Sequence, residues 1–381
     1  MLIPDSFKGT MDSSEVIQRL EKSAKKYFNP CEFVKIPIAD GGEGTVSCLL
    51  TACGGDIIKK TVTGPEREPV DASYGIIHSD TAVIEMAAAS GITLLTKPKN
   101  PLHTTSYGTG ELILDALNRG FSKIIIAIGG SATNDGGLGA LAALGVKFFD
   151  DSNRPITSFT GADLSSIHDF DASALGAYQN RDIYIMCDVS NPLTGEFGAT
   201  FVYGSQKGAD DEMLQTLEEG MIHFAKVVKQ KLGISHENDP GAGAAGGLGF
   251  ALKSFLKAKM TSGIEMSLDI VEFDQKAVSC DLIVTGEGSV NAQSVFGKVP
   301  IGIARRAKRL NIPVIAIAGS IMDGAEQLYE HGIVSISPVI CRAMDIEQAL
   351  ANSGEMFDKA ADRMFRLLSV GIQMGSPNTG K

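Results

Sequence analysis

The chain has 381 residues, enough for two domains, and its 44% apolar and 21% charged residues with a mean hydropathy of +0.08 exclude disorder as the main state. With 34 basic and 45 acidic residues the net charge is −11, which argues against a general nucleic-acid-binding surface and makes any phosphate site local. The opening MLIPDSFKG lacks a signal-peptide core and the longest apolar runs are strand-sized, so no export and no membrane span are expected, and the expected location is cytoplasmic.

Residues 2–4 read as a first strand. Asp12, with Glu15 three positions on, marks the start of a helix whose buried stripe is Val16, Ile17, Leu20, Ala24 and Tyr27. A strand at 33–38 and a helix from near Glu43 follow. Between 57 and 86 short β-like runs are separated by Pro65, Gly75 and Asp80, the texture of a meander. Strands are expected at 123–128 and 182–186, and long helices near 210–231 and 244–258. Regular alternation then returns. A strand at 281–285 precedes a helix opened by Pro300 at its first position, with Arg305, Arg306, Lys308 and Arg309 complementing the dipole in its last turn. Strands at 313–318 and 333–336 and a helix over 345–368 close the fold, and the GSPNTGK tail is expected to fray. The strands near 3, 35, 283, 315 and 335 make one doubly wound parallel domain from both chain ends, into which a mixed α/β domain is inserted.

Polar clusters begin where strands end. They are DSFKG after residue 4, DGGEG after 39, GGSATNDGG after 128, CDVSNP after 186 and TGEG after 284. Ligands of parallel sheets bind outside the carboxyl ends of the strands, where loops diverge and helix N-termini offer free N–H groups. One such cluster is ordinary turn chemistry, but five in the same topological position suit phosphoryl transfer. There, amides and Lys hold phosphate oxygens, carboxylates hold Mg²⁺ and one carboxylate accepts a hydroxyl proton. The run PGAGAAGGLG over 240–249 adds small residues that let backbone amides approach a phosphate.

Other chemistries lack their signatures. Gly247-x-Gly249 has no third glycine and no strand directly before it, so it is not a dinucleotide fingerprint. The segment from Gly288 to Lys298 has the wrong spacing for a P-loop. The six His show neither HxxxH nor HExxH, and GxSxG is absent, which disfavours a zinc enzyme and a serine triad. The six cysteines contain no CxxC and read as reduced, structural thiols.

Taken together and in this order, PDSFKG, IADGGEGT, IGGSATNDGGLGAL, CDVSNPLTGEFGAT with QKGA, PGAGAAGGLG, and TGEG with QS and GK resemble the type I glycerate kinases. The resemblance runs from residue 4 to about 306. It implies ATP-dependent, Mg²⁺-assisted phosphorylation of D-glycerate, with 2-phosphoglycerate favoured over 3-phosphoglycerate. The fold it implies is a flavodoxin-like domain (1–56 and 265–381) with a second mixed α/β domain (57–264) inserted, and an active site in the cleft between them. Asp188 or Asp135 would take the hydroxyl proton or orient the hydroxyl. Asp40, Glu43 and Glu287 are candidate metal ligands. Lys8, Lys207, Lys298, Gly130, Ser131 and Asn134 are candidates for phosphate or substrate carboxylate, with Gly243, Gly246 and Gly247 lining a phosphate.

Three departures from the family pattern stand out. The N-terminus is short before PDSFKG, so the first strand is expected to be clipped. Asn291 stands where Asp is usual, and cannot act as a base. Ser205 replaces a usual Pro. Alternatives are a kinase of another small hydroxy acid and a catalytically silent sensor of glycerate or nucleotide, with a hydroxy-acid oxidoreductase disfavoured. Partners are expected to be small molecules, with no nucleic acid and no membrane, and homo-oligomerisation is left open.

Overall fold

The computed structural model describes residues 1–295 and 297–375; residues 376–381 of the tail expected to fray lie outside them. The chain is α/β and divides into two compact units, Met1–Asp40 with Ile264–Lys381, and Gly41–Gly263.

In the first unit the regular strands Ile283–Val290, Val314–Ile321 and Ile333–Pro338 pair in parallel. The chain's start completes the sheet. Leu2 bridges both Lys35 and Val284 in parallel, with Ile3 N–H on Val284 O at 2.9 Å and Asp5 N–H on Gly286 O at 2.9 Å. The spatial order is therefore 2-1-3-4-5, the flavodoxin-like doubly wound order. The first two strands are reduced to isolated bridges. Period-two alternation sends Val284, Ile315 and Ile317 to one face, where they meet Leu2, Phe7, Val16, Leu20 and Phe357. Phe7 meets Phe357 edge-to-face at 5.3 Å, joining the helix Ser13–Ala24 side of the sheet to the helix Ser353–Gly375.

Local rules explain most boundaries. Asp12 caps Ser13–Ala24 by accepting from Glu15 N–H at 2.8 Å, while the Glu15 carboxylate turns to Arg19 at 2.8 Å and does not close the reciprocal box. The helix Val299–Arg309 starts one residue before Pro300. Arg306 is not a solvent-facing dipole partner: it is 6% exposed and reaches Glu265, Asp269 and Asp274 at 2.8, 2.5 and 3.3 Å. The single helix expected over 345–368 is two, Ile346–Ala351 and Ser353–Gly375, broken at Asn352, which leaves helical geometry at φ −108°.

The second unit holds a six-stranded sheet in the order Asp56–Thr63, Pro69–Ile77, Thr81–Glu85, Lys123–Ala127, Asp182–Met186, Lys259–Thr261. The first three form the expected meander, and the last four run parallel. Residues 41–56, expected in the first unit, belong here. Their helix Thr45–Cys53 packs on the Pro69–Ile77 strand, where a Cβ on Gly75 would meet Val46 at 3.0 Å and Leu50 at 3.3 Å. Ile124, Ile126, Ile183, Ile185, Leu248, Phe250 and Phe224 fill the core beneath. Each such side chain is worth about 1.5–3 kcal/mol on full burial.

Candidate active site

Parallel pairing aligns strand ends. In the second unit Glu85, Ala127, Met186 and Thr261 stand in one row across the sheet, so the segments after them leave from one edge. Glu85 spends its carboxylate on the N–H groups of Gly44 (3.3 Å) and Val46 (2.6 Å), at the start of the Thr45–Cys53 helix. Burial raises its pKa and the charge of Glu43 adds to this, opposed by the two N–H groups.

The 129–137 loop leads from Lys123–Ala127 into the helix Leu138–Ala143. Gly130 adopts φ +75°, and Ser131 Oγ lies 3.0 Å from Thr133 Oγ1 and accepts the Thr133 N–H at 3.0 Å. Asp135 is fully buried. Its Oδ2 accepts from Ser106 N–H and Oγ, both at 2.7 Å, and from Gly139 N–H at 3.2 Å; Oδ1 accepts from Gly137 N–H at 3.1 Å. Burial raises its carboxyl pKa, while these donors pull it down. Asp135 thus pins the loop to the start of the following helix, which is a poor position for a base that must reach a substrate.

Asn134 is also fully buried. Its Nδ2 donates to Thr200 Oγ1 at 3.1 Å, and its Oδ1 has no hydrogen-bond partner among the described residues. Lys207, 2% exposed, donates from Nζ to Thr133 O at 2.7 Å. Burial depresses its ammonium to about 8, opposed by the Asp135 charge. Ser205 is compatible with the turn that carries this lysine, since its carbonyl closes Ser205–Lys207 by accepting Gly208 N–H at 3.0 Å.

The glycine run meets the same loop. Ala245, Gly246 and Gly247 are successively left-handed, so the expected helix over 244–258 has a non-helical first turn. A Cβ on Gly246 would lie 2.0 Å from Thr133 O, one on Gly247 2.7 Å from Gly136 Cα, and one on Gly243 2.2 Å from Pro192 O. Gly136 N–H donates to Gly246 O at 2.9 Å. These glycines permit backbone against backbone. Asp188 stands two residues beyond the Asp182–Met186 strand. Its Oδ1 accepts from Ser262 Oγ and Gly263 N–H, both at 2.8 Å, and both donors follow the neighbouring Lys259–Thr261 strand.

In the first unit Asp5 and Asp40 follow the first two strands, while Glu287 lies inside Ile283–Val290, a strand that runs on through the TGEG cluster expected to follow it. Asp5 is 6% exposed; burial first and then the charge of Asp40 push its pKa up to about 7, against the Ser6 N–H and the Lys8 charge, with Glu287 adding a smaller rise. Glu287 is 4% exposed and raised by burial, with Lys298 and Ser294 opposing. Lys298 Nζ lies 3.2 Å from its Oε2, while the buried Oε1 has no hydrogen-bond partner among the described residues. Lys8 is exposed. Asn291 serves a turn: its carbonyl accepts Ser294 N–H at 2.9 Å and its N–H meets Ser294 Oγ at 3.2 Å.

Of the candidate residues, Gly130, Ser131, Asn134, Asp135, Lys207, Gly243, Gly246, Gly247 and Asp188 lie on converging loops of the second unit. In the first, the charges of Asp40, Glu287 and Lys8 act on Asp5, and Lys298 pairs with Glu287. Glu43 belongs to the second unit, where its charge acts on Glu85. No group of three His, Cys, Asp or Glu among the described residues is arranged to hold a metal ion. Asp5 and Thr200 were not among the candidates, although both lie within matched motifs.

Comparison with known proteins makes the chain a phosphotransferase acting on an alcohol group. The chain belongs to the glycerate kinase family, whose profile matches residues 1–369. It is 44% identical to the glycerate kinase of Bacillus subtilis strain 168 over 95% of both chains, and 43% identical to the glycerate 2-kinase of Escherichia coli K12 over 98% of both. A crystal structure described as a candidate glycerate kinase 2 from Salmonella typhimurium LT2 superposes with a TM-score of 0.85 at 40% identity, covering 98% of each chain. No helix among the described residues is long and apolar enough to cross a membrane.

Proposed function

We propose that this chain transfers the γ-phosphoryl group of ATP to the 2-hydroxyl of D-glycerate, releasing 2-phosphoglycerate and ADP. The regiochemistry is supported by the 43% identical relative from Escherichia coli, which is named a glycerate 2-kinase. The observation that carries the chemistry is Asp188, a carboxylate set beyond a parallel strand end with one oxygen fixed by Ser262 and Gly263.

Asp188 accepts the proton as the hydroxyl oxygen bonds to the γ-phosphorus, and the bond from that phosphorus to the bridging oxygen of ADP breaks. A positioned base of this kind contributes roughly 100- to 10,000-fold. Gly130 and Ser131 offer backbone and hydroxyl donors to oxyanions, while Gly243, Gly246 and Gly247 pack the neighbouring loops together and Asp135 and Lys207 hold the 129–137 loop in place. Lys8 and Lys298 supply positive charge for phosphate oxygens.

Asp40 and Glu287 fit a magnesium ion, because Glu287 keeps a buried, unpartnered oxygen and the Asp40 charge acts on both Glu287 and Asp5. Two carboxylates suffice, since Mg²⁺ retains waters and completes its shell with substrate phosphates. When bound, the ion neutralises charge on the phosphate oxygens of ATP. The test incubates the purified chain with D-glycerate, ATP and MgCl₂ and identifies the product by ³¹P NMR, with EDTA as the metal-free control. A 2-phosphoglycerate resonance that EDTA abolishes supports the reading; ATP and glycerate left unchanged by folded protein refute it.

A further inference from the structure

We infer that Ser289 and Ser320, together with Lys298, form a subsite of the first unit that holds the phosphate tail of the nucleotide. Parallel pairing sets Ser289 of the strand Ile283–Val290 directly beside Ser320 of the strand Val314–Ile321, so both hydroxyls leave the same face of the sheet. Their oxygens lie 3.1 Å apart, with Ser320 donating to Ser289. Both residues are half-buried and stand at the carboxyl ends of their strands, where doubly wound sheets take their ligands.

The protein satisfies these donors poorly. Ser320 spends its proton on Ser289, and Ser289 in turn donates to Met322 Sδ at 3.4 Å, a thioether and a weak acceptor. Lys298 Nζ stands over the same strand end, 3.4 Å from Ser289 O and 3.2 Å from Glu287 Oε2. Lys298 also occupies the N-cap of Val299–Arg309, which no side chain caps, so its charge adds to the positive end of that helix. Two hydroxyls and an ammonium at a helix start are the donor set of an oxyanion site. Glu287 shares the Ser289 face two residues earlier; it is 4% exposed, and its Oε1 has no hydrogen-bond partner among the described residues. The carboxylate of glycerate would be repelled by this acid, whereas a nucleotide brings Mg²⁺ and so answers the acid and the donors together. That difference selects the nucleotide phosphates over the glycerate carboxylate.

The inference rests on the kinase reading for the identity of its ligand, and the experiment keeps the two apart. Ser289→Ala, Ser320→Ala and the double variant are made in the full chain. Calorimetry gives the Kd of each for ADP with MgCl₂, and steady-state rates give KM for ATP and for D-glycerate. Losing hydrogen bonds to charged phosphate oxygens should weaken Mg·ADP binding by the folded double variant about 10- to 100-fold, with the ATP KM rising alike and the glycerate KM within about threefold of wild type. An ADP Kd within about twofold of wild type overturns the inference. A rise confined to the glycerate KM overturns it too, because it gives the hydroxyls to the acceptor. If the double variant does not fold, Ser289→Ala decides by the same criteria. Hydrogen exchange on the wild type needs no variant: Mg·ADP should slow exchange at residues 288–290 and 320–322, and unchanged exchange at both under saturating ADP overturns the subsite. If the wild type shows that protection but leaves glycerate unphosphorylated, the functional reading fails and the subsite stands. If it binds no ADP, both fail.

Discussion

Lys207 places its ammonium 2.7 Å from the carbonyl oxygen of Thr133 and is itself 2% exposed, so a charged group from one loop anchors the backbone of another inside the second unit. Burial lowers its pKa to about 8 from 10.5. Between those values the unfolded chain binds more protons than the folded one, so this group makes stability rise with pH. The wild type should gain about 3 kcal/mol relative to Lys207→Met between pH 8 and 10.5, read from denaturant midpoints across that range. Parallel curves for the two proteins would show that Lys207 is not held as described.

Asp5 has the opposite sign. Its pKa is raised to about 7 by burial and the Asp40 charge, so the folded state holds a proton that the unfolded state has lost. Its contribution is fully present below about pH 4 and disappears as pH rises through about 7. In EDTA, thermal melts of Asp5→Asn should show a smaller loss of stability between pH 4 and 7 than the wild type.

The two candidate bases should separate cleanly. Asp188→Asn should lower kcat by at least about 100-fold with little change in melting temperature, because its partners sit at a half-buried loop. Asp135→Asn should instead lower stability by about 2–4 kcal/mol, since an amide has only one acceptor oxygen for the donors that Asp135 satisfies. Kinetics and melts on both variants check this together.

Gly246→Ala should be among the most damaging single changes outside the charged groups. The residue has φ +66°, and the new Cβ would sit 2.0 Å from Thr133 O. The loop must shift or fail, and activity should fall by at least about 100-fold even where the variant folds. Gly9→Ala is the control: it is left-handed too but has nothing within 4 Å, and it should cost only about 1–2 kcal/mol.

Much of this architecture was legible in advance, for physical reasons. Buried parallel strands such as Lys123–Ala127 and Val314–Ile321 carry continuous apolar runs, at 124–128 and 314–318, and the Gly and Ser that follow announce turns. The helix Tyr107–Asn118 was not anticipated. Gly108 and Gly110 argue against a helix in isolation, yet a Cβ on either would clash with Thr63 O at 1.9 Å or Ala140 O at 2.4 Å, so tertiary packing demands them. Residues 41–56 were placed with the wrong neighbours because what the Thr45–Cys53 helix packs on depends on Gly75, far along the chain. The places of the glycine loops and of Asp188 beyond a strand end could be read from motifs. The role of Asp135 could not, because an aspartate that caps a loop and one that takes a proton look alike in sequence. Asp5 gains its meaning only where Asp40 and Glu287 join it.

The most direct test of the central claim couples the full chain, D-glycerate, ATP and Mg²⁺ to enolase without phosphoglycerate mutase, following phosphoenolpyruvate and ADP together. Equal, Mg²⁺-dependent rates of the two signals, both abolished in Asp188→Asn, are the predicted result. ADP release without phosphoenolpyruvate would contradict transfer to the 2-hydroxyl, and full activity in Asp188→Asn would remove that residue from the chemistry.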